Sequence, residues 1–261
     1  MKKLKITTLL LFGIGCYGIG FAQVDAPNTP PEVSPMPMKP EMTEIWEPQV
    51  SKITPGEKPG DAPSDAIILF DGENLDQWVS QTDTEKAAPW AIKDGYFEVV
   101  PGSGGIQTKM KFGDAQIHIE WSAPDKVENS GQGRGNSGLF LQNRYELQIL
   151  DSYNNRSYSN GQAGSIYKDA PPLVNAMRSP DQWNVYDVIY TAPRFKDGKI
   201  DQKAKITVLH NGVVVQNNTT IQGLTLYIGL HNYPEAHEED VIALQDHGTK
   251  VQFRNIWVRK L

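Results

Sequence analysis

From Ile67 onward, apolar residues come in short runs alternating with polar ones, and no window holds an apolar stripe at helical spacing. The pattern predicts strands over Ile67–Phe70, Trp90–Lys93, Tyr96–Val100, Gly105–Thr108, Ala115–Ser122, Ser137–Gln142 and Tyr145–Leu150. It continues with Asn184–Tyr190, Lys205–Leu209, Val213–Gln216, Leu224–Leu230, Val241–Gln245 and Val251–Val258. Turn dipeptides punctuate them: Asp71-Gly72, Asp94-Gly95, Pro101-Gly102, Asp197-Gly198 and Asn211-Gly212. Asn211-Gly212, set between two apolar runs, is the clearest two-residue hairpin. Many strands with tight turns and no strand–helix alternation predict an all-β fold of two packed antiparallel sheets, a sandwich or jelly roll. Ser152 to Pro180, rich in Asn, Ser, Gly, Tyr and Pro, has little regular pattern of its own. A loop of that length in a compact domain is usually functional, for instance as the wall of a cleft.

The densest chemistry lies in the stretch Arg134–Tyr153, RGNSGLFLQNRYELQILDSY. Leu139, Leu141, Tyr145, Leu147 and Ile149 mark one buried face of a strand pair, and Glu146 and Gln148 share the opposite face. Asp151 has the other parity, and a one-residue bulge near Ile149 or Leu150 would bring it round to join them. Glu146-x-Gln148-x-x-Asp151 on such a strand would suit sugar chemistry, and a solvated strand end with ordinary surface acids is the plain alternative.

Bulk properties narrow the field. Lys2, Lys3 and Lys5 precede an apolar run over residues 6–20, so residues 1–22 read as an export signal, too short and glycine-rich for a stable span. Secretion or a periplasmic location is expected, with lipid anchoring at Cys16 the lesser alternative. Residues 23–65 hold ten of the eighteen prolines and read as a semi-extended tether, leaving residues 66–261 as one domain. A net charge of −6 without a basic stripe argues against nucleic acid as a partner. Cys16 is the only cysteine and there is no Gly-x-Ser-x-Gly elbow, so nucleophilic thiol or serine chemistry has no support. The glycine-rich stretch Gly131–Gly138 precedes a strand rather than a helix, which removes a dinucleotide fingerprint. A divalent cation remains an option: His231 and His237 lie among Glu235, Glu238, Glu239 and Asp240, although a solvated acidic loop explains the same cluster.

Two further polar groups stand out. Gln245-Asp246-His247-Gly248 follows an apolar run, and a histidine at a strand end can serve as acid or base near neutral pH. Glu120-Trp121 pairs a carboxylate with an aromatic ring, a pairing that sugar sites use for hydroxyls and stacking, and Trp121 as plain core is the alternative.

In order along the chain, several motifs carry a resemblance. They begin with Phe70-Asp71-Gly72, Leu75, Trp78, Trp90, Asp94-Gly95 and Glu120-Trp121, followed by Gly135-Asn136-Ser137-Gly138 and Tyr145-Glu146-x-Gln148-x-x-Asp151. Gly164-x-Ile166-Tyr167, Trp183-Asn184, Asn211-Gly212, Gln245-Asp246-His247-Gly248 and Phe253-Arg254-Asn255-Ile256 complete the series. Together they resemble the 3-keto-disaccharide hydrolase domain family over nearly all of residues 66–261. The resemblance implies a concanavalin A-like jelly roll and a carbohydrate substrate. Family-16 glucanases of that fold carry Glu-x-Asp-x-x-Glu, whereas this chain has an amide, Gln148, at the centre. That departure speaks against ordinary retaining hydrolysis, because an amide cannot tune two flanking carboxylates. A 3-keto sugar offers another route: removal of the acidified C2 proton, elimination of the C1 leaving group, then hydration. In that scheme Glu146 or Asp151 is the base, His247 the acid or its relay, and Arg134, Gln148 or a cation the stabiliser of the enolate. Asn136, Glu120, Trp121, Gln245 and Asp246 are the expected substrate contacts. A sugar-binding module, an ordinary endo-glucanase-like hydrolase and a surface scaffold are the competing classes.

Overall fold

The computed structural model describes residues 37–261, so the expected export signal and the first part of the tether lie outside the described residues. The chain forms two units, one ending at Ser51 and one spanning Lys52–Leu261. In the first, the described residues hold a single 3-10 turn, Pro40–Thr43. The second contains β1 (Ile67–Phe70), β2 (Trp78–Ser80), β3 (Ala91–Lys93), β4 (Tyr96–Glu98), β5 (Ile106–Phe112), β6 (Ala115–Ser122), β7 (Ser137–Leu141) and β8 (Tyr145–Ile149). It continues with β9 (Asn184–Thr191), β10 (Arg194–Lys196), β11 (Lys199–Gln202), β12 (Lys205–His210), β13 (Val213–Thr220), β14 (Asp240–Leu244) and β15 (Gln252–Lys260). No described helix is long and apolar enough to cross a membrane.

The strands make two antiparallel sheets and a small ribbon, β10–β11. The larger sheet runs β13-β12-β9-β6-β15-β4-β3, with β1 also paired to β15, and the smaller runs β2-β5-β14-β7-β8. Asn211 and Gly212 join β12 to β13 with φ of 54° and 81°, the left-handed pair that a tight hairpin needs. Ile117, Ile119 and Trp121 of β6 and Tyr186, Val188 and Tyr190 of β9 belong to the same buried core as Leu139, Leu141, Tyr145, Leu147 and Ile149 of β7 and β8. Tyr186 donates its hydroxyl to the Gln148 carbonyl and Tyr190 donates to Gln142 Oε1, both at 2.8 Å, so the buried phenols tie the two sheets together. The result is the two-sheet jelly-roll sandwich.

Three features differ from the sequence expectation. Leu224–Leu230 is a loop rather than a strand: Gly223 and Gly229 take φ of 153° and 118°, and Tyr227, Ile228 and Leu230 stay exposed. Alternation there had no sheet face to bury against. β2, β10 and β11 are too short or too polar to have shown a pattern. The tether does not run free to residue 65. The Gly60 carbonyl accepts hydrogen bonds from Asn255 Nδ2 and Trp257 Nε1, each at 2.9 Å, and Asp65 pairs with Arg259 at 2.6 Å. Side chains of β15 thus tie the end of this segment to the larger sheet, beside its own bonds between Thr54 and Ser64.

Candidate active site

β8 is the edge strand of the smaller sheet, and its alternation separates fold from chemistry. Tyr145, Leu147 and Ile149 enter the core, which leaves Glu146 and Gln148 on the outer face. Across the β7–β8 pair Glu146 faces Phe140 and Gln148 faces Gly138. The free edge of β8 is completed by the long loop. Gly164 N–H donates to Gln148 O at 3.0 Å, Gln148 N–H to Ser165 O at 2.9 Å, and Tyr167 N–H to Glu146 O at 3.1 Å. On the other loop Thr225 Oγ1 accepts the Glu146 N–H at 2.9 Å. This enclosure leaves Glu146 only 5% exposed, and its carboxyl makes no hydrogen bond among the described residues. Burial pushes its pKa up to about 8.

Gln148, on the same face of the strand, belongs to a cluster of amides. Gln148 Nε2 donates to Gln132 Oε1 at 3.1 Å and more loosely to Asn136 Oδ1 at 3.5 Å. Gln132 in turn donates to Ser157 Oγ and Gly161 O, so the loop orients the cluster. Gln245 N–H donates to Gly138 O at 3.1 Å, which carries the β14–β7 pairing past Leu244 and puts Gln245 in the row of Gly138 and Gln148. The side-chain oxygens of Gln148 and Gln245 are buried without a partner. Orphaned buried acceptors are costly, and these two fall in one row across β8, β7 and the end of β14.

Asp151 follows an irregularity at the end of β8, near the position where its spacing called for a bulge. The register is regular from Tyr145 to Ile149, and the irregularity falls just after, where the Asp151 N–H is shared between the carbonyls of Arg134 and Gly135, both at 3.2 Å. Its side chain accepts from Arg134 Nε at 2.6 Å and from Tyr153 N–H at 3.1 Å. The ion pair lines a cavity of about 350 Å³ together with Gly135, Gly248 and Thr249. Asp246 is a structural residue: its carboxylate accepts from the backbone of Gly102 at 2.7 Å, Gly104 at 3.1 Å and Gly248 at 2.9 Å. His247 lies at the same rim, between Gln245, bonded to Ser137, and Thr249, bonded to Asn136. It is exposed and makes no hydrogen bond among the described residues.

Glu120 and Trp121 do not join this group. Neighbours on one strand face opposite sides. Trp121 is fully buried, with His210 stacked at 5.8 Å, so no sugar ring can reach it. Glu120 lies on the outer face of the other sheet, held by Arg254 Nε at 2.6 Å and Asn255 Nδ2 at 2.9 Å. The histidines of the loop offered as a cation option make internal hydrogen bonds. His237 Nε2 meets the Tyr145 hydroxyl at 2.7 Å, and His231 Nδ1 meets the Leu224 carbonyl at 2.9 Å. Among the described residues no three His, Cys, Asp or Glu side chains gather as a ligand set.

The sequence reading missed Gln132, Tyr158, Tyr167 and Lys168. Tyr158 and Tyr167 hydroxyls are 2.7 Å apart, and Lys168 Nζ lies 5.7 Å and 5.8 Å from their ring centroids. A signal existed for one of them, since Tyr167 ends the Gly164-x-Ile166-Tyr167 motif inside the loop expected to wall a cleft.

Comparison with known proteins bears on the family and the fold. Residues 65–259 match the model of the 3-keto-alpha-glucoside-1,2-lyase-like domain. A curated 3-keto-disaccharide hydrolase of Bacteroides thetaiotaomicron is 25% identical over 239 residues, covering 75% of this chain and 78% of that protein. A crystal structure from Parabacteroides distasonis, assigned as a glycosyl hydrolase, is 50% identical with a TM-score of 0.82, covering 86% of this chain and 97% of that one. A second structure from the same organism, 22% identical with a TM-score of 0.54 and covering 75% and 99%, shares the fold. These relatives support a glycoside-hydrolase-type enzyme. With three quarters of its length matched, the chain belongs to the 3-keto-alpha-glucoside-1,2-lyase-like domain family.

Proposed function

We propose that this protein cleaves 3-keto-glycosides by elimination and hydration, with Glu146 as the base. The observation that carries the reading is the Glu146 carboxyl: buried, unpartnered, with its pKa raised to about 8, and on the same face as two amides with orphaned oxygens. A carboxylate of raised pKa is a stronger base once ionised, and the C2 proton of a 3-keto sugar is acidified by the adjacent ketone. Its removal gives an enolate. Collapse of the enolate expels the C1 oxygen, and water adds to the resulting enone at C1. Gln148 and Gln245 accept sugar hydroxyls through their free oxygens. Arg134, whose Nη1 makes no hydrogen bond among the described residues, supplies positive charge for the enolate. The names of the family and of its curated member point to the same substrate class.

Ordinary two-carboxylate hydrolysis fits less well, because the second carboxyl, Asp151, is already engaged by Arg134 and Tyr153. A pure sugar binder would use the same amide oxygens but has no need of an unpaired buried acid. We also propose that the protein acts outside the cytoplasm, on the strength of its basic-then-apolar N-terminal sequence.

The test is turnover of a 3-keto-glucoside in deuterium oxide. Deuterium is expected at C2 of recovered substrate or product, and its absence from both overturns the elimination route. Glu146→Gln should abolish exchange, while Asp151→Asn should retain it. The opposite pattern would move the base to Asp151.

A further inference from the structure

Elimination also needs an acid for the departing oxygen, and the loop that completes the edge of β8 brings hydroxyl groups to the same face as Glu146. Ile166 bridges Leu147 and is buried in the core. Its neighbour Tyr167, bonded through its N–H to the Glu146 carbonyl, therefore emerges on the outer face beside Glu146. Tyr167 is partly buried, and its hydroxyl lies 2.7 Å from that of Tyr158, which is 40% exposed. The two phenols make a short path from the enclosed face to water.

We propose that Tyr167, replenished through Tyr158, is the general acid that protonates the leaving group. The proposal rests on the reading of Glu146 as base. His247, the acid expected from the sequence, is exposed and held by nothing, whereas a proton donor must be positioned. In the step itself the enolate electron pair forms the C1–C2 double bond and the C1–O bond breaks. The Tyr167 O–H bond breaks with it, and its proton goes to the departing oxygen, leaving a phenolate. Tyr158 returns a proton from solvent, or the phenolate takes one from the water that adds to C1. Glu146 takes the C2 proton, exchanges it with solvent, and protonates C2 on hydration.

Lys168 favours the transient phenolate. Its ammonium lies 3.9 Å from the Tyr227 ring centroid and donates to the Tyr227 carbonyl, which fixes it near both phenols. Burial raises the pKa of Tyr167, so the group stays protonated until the C1 oxygen draws on it.

Leaving-group dependence separates this role from a structural one. For Tyr167→Phe we expect a loss of about 100-fold or more in kcat on methyl 3-keto-glucoside, whose alkoxide needs a proton. The loss should be under about threefold on the 4-nitrophenyl compound, whose phenolate leaves unaided. C2 deuterium exchange should persist in the variant, which also reports that it is folded. Tyr158→Phe should show the same selectivity in weaker form. An equal loss on both substrates, or no loss on either, overturns the proposal. So does the selective loss appearing in His247→Gln and not in Tyr167→Phe. Should Tyr167→Phe fail to fold, the Tyr158→Phe selectivity decides alone. Absence of C2 exchange in the wild type would instead remove the Glu146 reading, a separate outcome.

Discussion

Gly138 makes room for the Glu146 carboxyl: a Cβ at position 138 would stand 2.6 Å from Glu146 Oε1 and 2.9 Å from the Phe140 ring. The glycine lies within β7, so its value here is space rather than backbone freedom. Gly138→Ala should displace the carboxyl from its position above the sheet. The expected result is a fall of at least about tenfold in kcat with a stability cost of about 1–3 kcal/mol, the usual penalty of overpacking. Steady-state rates and thermal melts of the pair would check it, and an unchanged kcat would show that Glu146 is not the base.

Glu146 should also leave a signature in stability against pH. Its folded-state pKa of about 8 lies above the ordinary 4.5, because burial disfavours the charged form. The folded protein then keeps a proton that the unfolded chain has shed, so this group erodes stability as pH rises from 4.5 to about 8. Each pKa unit is worth about 1.4 kcal/mol, so the erosion is on the order of a few kcal/mol. Relative to wild type, Glu146→Gln should become progressively more stable from pH 4.5 to pH 8. The melting temperature of both proteins across that range measures the difference; a constant difference would rule out the shifted pKa. The kcat/KM of wild type should rise with pH through the same value, as base catalysis requires.

Glu120 should behave as a structural residue. Burial alone would raise its pKa, but His118 at 3.7 Å and hydrogen bonds from Asn255 and Arg254 outweigh it and hold the carboxyl at about 2. Burial alone would lower the pKa of His118, but its hydrogen bond to Asp187 and the Glu120 carboxylate 3.7 Å away raise it to about 9. Stability from Glu120 is present above pH 4.5 and lost as pH falls through 2; that from His118 is full below pH 6.5 and lost as pH rises through 9. Glu120→Gln should therefore cost most between pH 4.5 and 6.5, by about 1.5–3 kcal/mol for hydrogen bonds to charged groups, while kcat stays within twofold. A large loss of kcat with unchanged melting would return Glu120 to the site.

Local signals were legible where one face meets the core. The β7–β8 alternation and the Asn211-Gly212 hairpin are written in adjacent residues, and so is the split that sets Glu146 and Gln148 against Leu147. The same parity rule already separated Glu120 from Trp121, and only the attraction of an acid–aromatic pair obscured it. Distant partners were not legible. Asp246 caps Gly102 and Gly104 across more than 140 positions, and Gln132 reaches both Gln148 and Gly161. Leu224–Leu230 shows the converse, an alternating run with no surface to receive it.

The loop that supplies Tyr167 also occupies the hydrogen-bonding edge of β8. An uncovered edge strand is a template for pairing with another chain, and natural sheets shield such edges. Here the shield and the proposed acid are one segment. Variation in residues 164–167 that retunes chemistry would at the same time unveil a sticky rim, so self-association, as much as lost turnover, would be expected to limit change there.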